Sequence, residues 1–178
     1  MTALTLRPLL PHPAHVDALA ALLVETVAGG GSVGFMDPLA PDEAAAFWRA
    51  ALEAAARGGR VVLGAFTRDE RAQDELVGTV SLLLDLPPNQ PHRAEIAKMM
   101  TRPSHRGRGV ATALLREAER LAAARGRTLL VLDTAVDGGA SGLYEKLGYV
   151  RAGEIPDFAL KPQGGLTGTR LYWKRLPA

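Results

Sequence analysis

Arg106-Gly107-Arg108-Gly109-Val110-Ala111 is the stretch on which the reading of this chain turns. It follows a strand-like segment, 93–101, and opens a segment rich in alanine and leucine, 108–125, that reads as a helix. Two glycines permit a tight turn and a close approach of backbone to a ligand. The start of a helix presents unpaired N–H groups and the positive end of its dipole. Arg102, Arg106 and Arg108 add positive charge, and the whole predicts a site for a pyrophosphate. The same residues would also serve as a plain glycine turn beside solvated arginines, and local chemistry leaves both readings open. The stretch is not a Walker loop, because no Gly-Lys-Ser/Thr follows. Nor is it the three-glycine dinucleotide fingerprint.

Working outward, 128–134 is a near-continuous apolar run holding Asp133, as suits a buried parallel strand. Strand 93–101, helix 108–125 and strand 128–134 then form one βαβ crossover. Upstream, 5–10 predicts a strand. Residues 14–28 predict an amphipathic helix, with Val16, Leu19, Leu22 and Leu23 on one face and Gly29, Gly30 and Gly31 ending it. A loop, 32–39, carries Phe35 and Met36, and a second helix covers 42–57 with Phe47 and Trp48. Segments 60–66 and 75–84 predict a hairpin pair whose charged connection holds Asp69, Glu70, Arg71, Asp74 and Glu75. Pro87, Pro88 and Pro91 mark a loop. A short helix at 141–147, a segment at 149–152 and a strand at 169–175 complete the chain. The fold class is α/β, with antiparallel strands first and a parallel crossover later.

Composition narrows the chemistry. The 178 residues suffice for one domain with a full core, and 47% apolar and 22% charged residues are ordinary for a globular chain. There is no cysteine, so disulfides, thiolate metal sites and a thioester on the enzyme are excluded. His12, His15, His92 and His105 form no i, i+4 pair, so no metal site is expected. A formal charge of +2 does not argue for nucleic acid as a partner. No apolar run approaches a membrane span, and the beginning lacks a signal-peptide core, so the expected location is cytoplasmic with no membrane partner. Trp48 and Trp173 are read as core or interface residues, with a homodimer left open.

Arg106-x-x-Gly109-x-Ala111 resembles the Gln/Arg-x-x-Gly-x-Gly/Ala signature of the GNAT (GCN5-related) N-acetyltransferases. Its neighbours come in the order that family shows: Arg93-Ala94-Glu95-Ile96, then Leu132-Asp133-Thr134, then Leu143-Tyr144-Glu145-Lys146-Leu147-Gly148-Tyr149. The chain is similar above all to the tabtoxin-resistance acetyltransferase branch. The segments that carry this are Ser32-Val33-Gly34-Phe35, Gly153-Glu154-Ile155-Pro156-Asp157-Phe158-Ala159 and Thr169-Arg170-Leu171-Tyr172-Trp173-Lys174. The resemblance implies one GNAT domain over 1–178, with a mixed central sheet flanked by helices. It implies acetyl-coenzyme A as co-substrate, its pyrophosphate held by Arg106, Gly107, Arg108, Gly109, Val110, Ala111 and Thr112. Its pantetheine arm and acetyl carbonyl would meet the main chain of Met99, Met100 and Thr101. Many members carry an asparagine before the tyrosine helix. Here that loop is Asp137-Gly138-Gly139-Ala140-Ser141, so no such contact carries over.

Three residues are candidates for catalysis. An alkylamine is mostly protonated near neutral pH and must lose a proton before it attacks a thioester. Glu95 and Asp133 are the candidate bases. Asp133 ends an apolar strand, where a carboxylate is costly unless it has a partner or a task. The alternatives are that Asp133 caps the following turn and that Glu95 pairs with Arg93 or Lys98. Tyr144 is the candidate acid for the departing thiolate, its alternative being an amphipathic residue that packs its helix on the sheet. Tyr149 and Leu147 are read as core. The loop 29–36 is expected to cover the acceptor, with Phe35 as an apolar wall, or to be a plain connection with a buried aromatic. The expected reaction is direct transfer of acetyl from acetyl-coenzyme A to a small-molecule amine, amino-acid-like or antibiotic. The rivals are acetylation of a protein N-terminus or lysine, and a coenzyme-A-binding module without catalysis.

Overall fold

The computed structural model describes residues 4–68, 73–138 and 140–177. Asp69, Glu70 and Arg71 of the charged connection, and Gly139, lie outside the described residues. The elements are β1 (Thr5–Pro8), α1 (Pro13–Ala28), α2 (Pro41–Ala56), β2 (Arg60–Arg68), β3 (Asp74–Leu83), β4 (Arg93–Thr101), a 3-10 turn (Pro103–His105), α3 (Val110–Ala123), β5 (Leu129–Ala135), α4 (Ser141–Lys146), β6 (Val150–Leu160) and β7 (Leu166–Arg175). Among the described residues one seven-stranded mixed sheet contains all the strands, in the order β1-β2-β3-β4-β5-β7-β6.

Local chemistry starts the helices where it should. Proline stands at the first turn of both α1 and α2, and the His12 imidazole caps α1 by accepting from the Ala14 N–H at 3.2 Å. Asp42 and Glu43 lie in the first turn of α2, where the helix dipole favours negative charge. Alternation along the strands divides the core into two layers. Val61, Leu63 and Ala65 face α3 and α4, with Ala94, Ile96, Leu130 and Leu132 beside them. Val62 and Phe66 face α1 and α2, where Leu19, Leu22, Leu23, Trp48 and Leu52 are buried.

The expected hairpin of β2 and β3 is antiparallel from Arg60↔Leu83 onward. The expected crossover makes β4 and β5 parallel. The C-terminal part departs from the sequence reading. The segment 149–152, given no type from the sequence, opens a strand that runs from Val150 to Leu160, and the strand expected from 169 begins at Leu166. Gly153, Pro156 and Gly168 depress strand propensity there. The pairing also shifts between Ile155 and Ala159, so β6 bulges around Pro156–Phe158. As the exposed edge strand, β6 shows no alternation of buried and open residues.

Candidate active site

A split between β4 and β5 organises the site. The two strands pair at Arg93↔Leu129, Ala94↔Leu130 and Glu95↔Val131 and no further, although β4 continues to Thr101 and β5 to Ala135. The cause lies in β4. Opposite Thr79 and Ser81 of β3 stand Met100 and Ala97, so β4 carries one extra residue between them, and Lys98 adopts the left-handed φ of 52°. Such a bulge bends its strand. Beyond Glu95, the edge of β4 facing β5 therefore keeps main-chain groups that no strand occupies. Met100 is buried on the α1 side, and Met99 packs on the α3 side. Their side chains serve packing, and the register with β3 turns the Met100 main chain toward Thr79, so the main-chain groups open on the β5 side are those of Met99 and Thr101. The Thr101 hydroxyl is buried without a partner among the described residues.

The glycine turn lies at the open end of this split. Gly107 and Gly109 have φ of 72° and 81°, and a Cβ added at either would meet nothing within 4 Å. No side chain caps α3, so the N–H groups of Val110, Ala111 and Thr112 open its N-terminus without one. Gly78 of β3 sets that position. A Cβ there would lie 2.8 Å from Val110 Cγ1 and 3.2 Å from Leu114 Cδ1, so only a glycine lets α3 sit this close to the sheet. Arg106 and Arg108 are exposed beside the turn. Arg102 is not part of it, contrary to the sequence reading. Its guanidinium donates to Glu25 Oε2 and to the Leu76 carbonyl, each at 2.8 Å, and so ties β4 to α1.

Open main-chain groups along β4, a clear space at the turn and an uncapped helix together fit an elongated ligand with a pyrophosphate. Among the described residues, the acids and the tyrosine take distinct places around it. Glu95 stands where β4 and β5 are still paired, and Arg93 Nη1 donates to its Oε1 at 2.6 Å. Asp133 stands two residues beyond the last pair of β5. It does not cap the following turn but accepts from the Thr169 hydroxyl of β7 at 2.9 Å. Tyr144 is buried under α4, its ring 5.7 Å from that of Tyr149 and 6.0 Å from that of Tyr172. It packs the helix on the sheet, as the alternative reading held. Its hydroxyl nevertheless has no hydrogen-bond partner among the described residues. Burial, and then the charge of Asp133, push the phenol up to about 12, so it is a neutral donor at physiological pH. Tyr149 is raised as well, by burial first and then by Glu119.

The other face of the split carries the loop 29–40. Phe35 sets its edge to Phe47 at 5.2 Å, and the Lys98 ammonium lies 5.7 Å and 5.4 Å from the two ring centres. The β6–β7 hairpin reaches across to this loop. The Asp37 N–H donates to the Pro162 carbonyl at 3.0 Å, and the Gln163 amide donates to the Val27 carbonyl at 3.1 Å. Sequence reasoning missed both Lys98 and this hairpin. The signal for Lys98 was a single cation in the run Ala94-Glu95-Ile96-Ala97-Lys98-Met99-Met100. The hairpin left only Pro162-Gln163-Gly164-Gly165 as a turn signal.

The sequence profile of the acetyltransferase (GNAT) family matches residues 35–149. A human relative, N-acetyltransferase 8B, is 34% identical over 85 residues, which are 47% of this chain and 37% of that protein's length. An N-acetyltransferase from Staphylococcus aureus Mu50 has the same fold, with a TM-score of 0.80 at 20% identity over 99% of this chain and all of that one. A Salmonella typhimurium protein solved with its cofactor acetyl-CoA gives 0.77 at 20% identity, over 98% of this chain and 95% of its own. No helix among the described residues is long and apolar enough to cross a membrane.

Proposed function

This chain belongs to the acetyltransferase (GNAT) family, and we propose that it moves an acetyl group directly from acetyl-coenzyme A to the amine of a small molecule. Acetyl-coenzyme A supplies an activated thioester. The turn amides of 106–112, with Arg106 and Arg108, bind its pyrophosphate. The open main-chain groups of Met99 and Thr101, on either side of Met100, orient the pantetheine arm and polarise the acetyl carbonyl. Asp133 takes the proton of the acceptor's ammonium, freeing the lone pair that forms the new C–N bond. As the C–S bond breaks, Tyr144 donates to the leaving sulfur. Glu95, already held by Arg93 at the closed base of the split, is the weaker candidate for the base.

The observation that carries a small acceptor, rather than a peptide, is the bridge from the β6–β7 hairpin to the loop 29–40. It spans the side of the split that carries Lys98 and Asp133, and so supports a bounded acceptor site rather than the long open groove a peptide would need. The resemblance of 32–35 and 153–159 to the tabtoxin-resistance branch supports an amino-acid-like or antibiotic acceptor. A homodimer belongs to the same reading, supported by Val150, Ile155, Phe158 and Leu160 exposed along edge strand β6, as does a cytoplasmic location.

The test is release of free thiol from acetyl-coenzyme A with a panel of amines, amino acids, antibiotics and short peptides. The enzyme has no cysteine, so it adds no thiol background. Turnover with small amines and none with peptides is expected. Peptide acetylation alone would reverse the assignment of the acceptor, and no turnover with bound acetyl-coenzyme A would leave a binding module.

A further inference from the structure

Lys98 is the residue of this site that no step of the reaction uses. In the alternation of β4, Ala94 and Ile96 point into the core beneath α3, and position 98 would follow them. The bulge turns it to the opposite face, at the expense of a left-handed φ that a side-chain-bearing residue rarely adopts. The ammonium ends beside the paired rings of Phe35 and Phe47, half-buried, and makes no hydrogen bond or ion pair among the described residues. Two ring faces give a cation some attraction. They leave its three N–H donors without a protein acceptor in a partly shielded place. Burial lowers its pKa, Asp133 across the split raises it, and Arg60 of β2 lowers it. The other carboxylate on this face, Glu95, is already bound to Arg93.

We infer that Lys98 is an anion subsite for the acceptor, so that the substrate class is an amine that also bears a carboxylate. This rests on the acetyl-transfer reading above. The two charges of such a molecule sort themselves in the pocket. Its ammonium is repelled by Lys98 and Arg60 and goes to Asp133, where it is deprotonated. Its carboxylate goes to Lys98, beside two rings that reduce the access of water and so strengthen a charge-assisted hydrogen bond. The distance between the two groups is thereby read as well, because Lys98 and Asp133 are fixed on different strands on either side of the split.

The experiment compares α-amino acids with their carboxamides, which keep the amine and the side chain and lose the negative charge. For the wild type, kcat/KM is expected to favour the carboxylate by about tenfold or more, the difference appearing mainly in KM. Lys98→Met, which keeps the length of the chain, should remove this preference, and Lys98→Arg should restore part of it. Acetyl-coenzyme A affinity, measured by calorimetry, reports whether each variant still folds and binds its donor. Equal use of carboxylate and carboxamide by the wild type would overturn the inference. So would a Lys98→Met enzyme that keeps the preference, or no acetylation of any amino acid by an enzyme that binds acetyl-coenzyme A and acetylates other amines. Failure to bind acetyl-coenzyme A at all would instead overturn the reading beneath it.

Discussion

Asp133, exposed, and Tyr144, buried, come to the split from opposite faces of the sheet, and their chemistry is complementary. The carboxylate charge helps to keep the phenol protonated, and burial does the rest. Tyr144→Phe keeps the ring and its contacts with Tyr149 and Tyr172 and removes only the donor. Its single-turnover rate of acetyl transfer should fall by at least about tenfold, since general-acid help is typically worth 10²–10⁴-fold, while acetyl-coenzyme A affinity holds. An unchanged rate would remove Tyr144 from the reaction. The two acids should part company in the same assay. Asp133→Asn is expected to lower kcat by roughly 10²-fold or more, and Glu95→Gln by far less, because Glu95 is neutralised by Arg93 outside the open split. Equal losses would make both acids part of the proton path. The position of Asp133 toward the end of β5 was legible in the sequence, because an acid ending an apolar run stands out there. Lys98 was not, because its direction is set by one extra residue in β4, which a pattern of residue types does not reveal.

The turn before α3 and the approach of α3 to the sheet form the site's main device at the scale of elements. Gly109→Asp introduces a side chain where a Cβ has nothing within 4 Å, so the fold has room for it. The left-handed φ costs an aspartate on the order of 1 kcal/mol, yet its charge would stand where the proposed function puts the pyrophosphate. Calorimetry should show acetyl-coenzyme A binding lost in a protein whose circular dichroism is native; normal affinity would place the pyrophosphate elsewhere. Gly78→Ala acts from the other side of the helix. Its methyl would press on Val110 and on the Met100 carbonyl 3.0 Å away, and such overpacking typically costs about 1–3 kcal/mol. Urea denaturation should register that loss together with a weaker affinity for acetyl-coenzyme A, as the start of α3 shifts from the end of β4. Boundaries of β4 and α3 were legible to within a residue or two because hydrophobic periodicity and glycine punctuation agree there. The β6–β7 hairpin was not, since glycine, proline and solvent exposure erase the strand signal along β6.

Over the whole molecule, two buried tyrosines couple stability to alkaline pH. A phenol raised from 10.0 to about 12 stabilises the folded state fully below pH 10 and loses that contribution as pH rises toward 12. For Tyr144 the amount is on the order of 2–3 kcal/mol, and Tyr149 acts in the same direction. Lys98, lowered by burial, acts oppositely, its penalty fading as pH rises to 10.5. Urea midpoints should therefore fall between pH 10 and 12, and fall less in Tyr144→Phe; parallel curves would contradict this. The mixed α/β class was legible in the order of segments, since a parallel crossover needs the strand-helix-strand length that 93–134 provides. The place of β7 between β5 and β6 was not, because antiparallel strands of similar composition can pair in several orders. The split in this sheet is where the account rests, and a crystal structure with coenzyme A tests it most directly. It should show the pyrophosphate on the N–H groups of 106–112, the pantetheine along the open edge of β4, and the sulfur within about 3.5 Å of the Tyr144 hydroxyl. Coenzyme A bound away from the split, or a sulfur remote from both Tyr144 and Asp133, would contradict it.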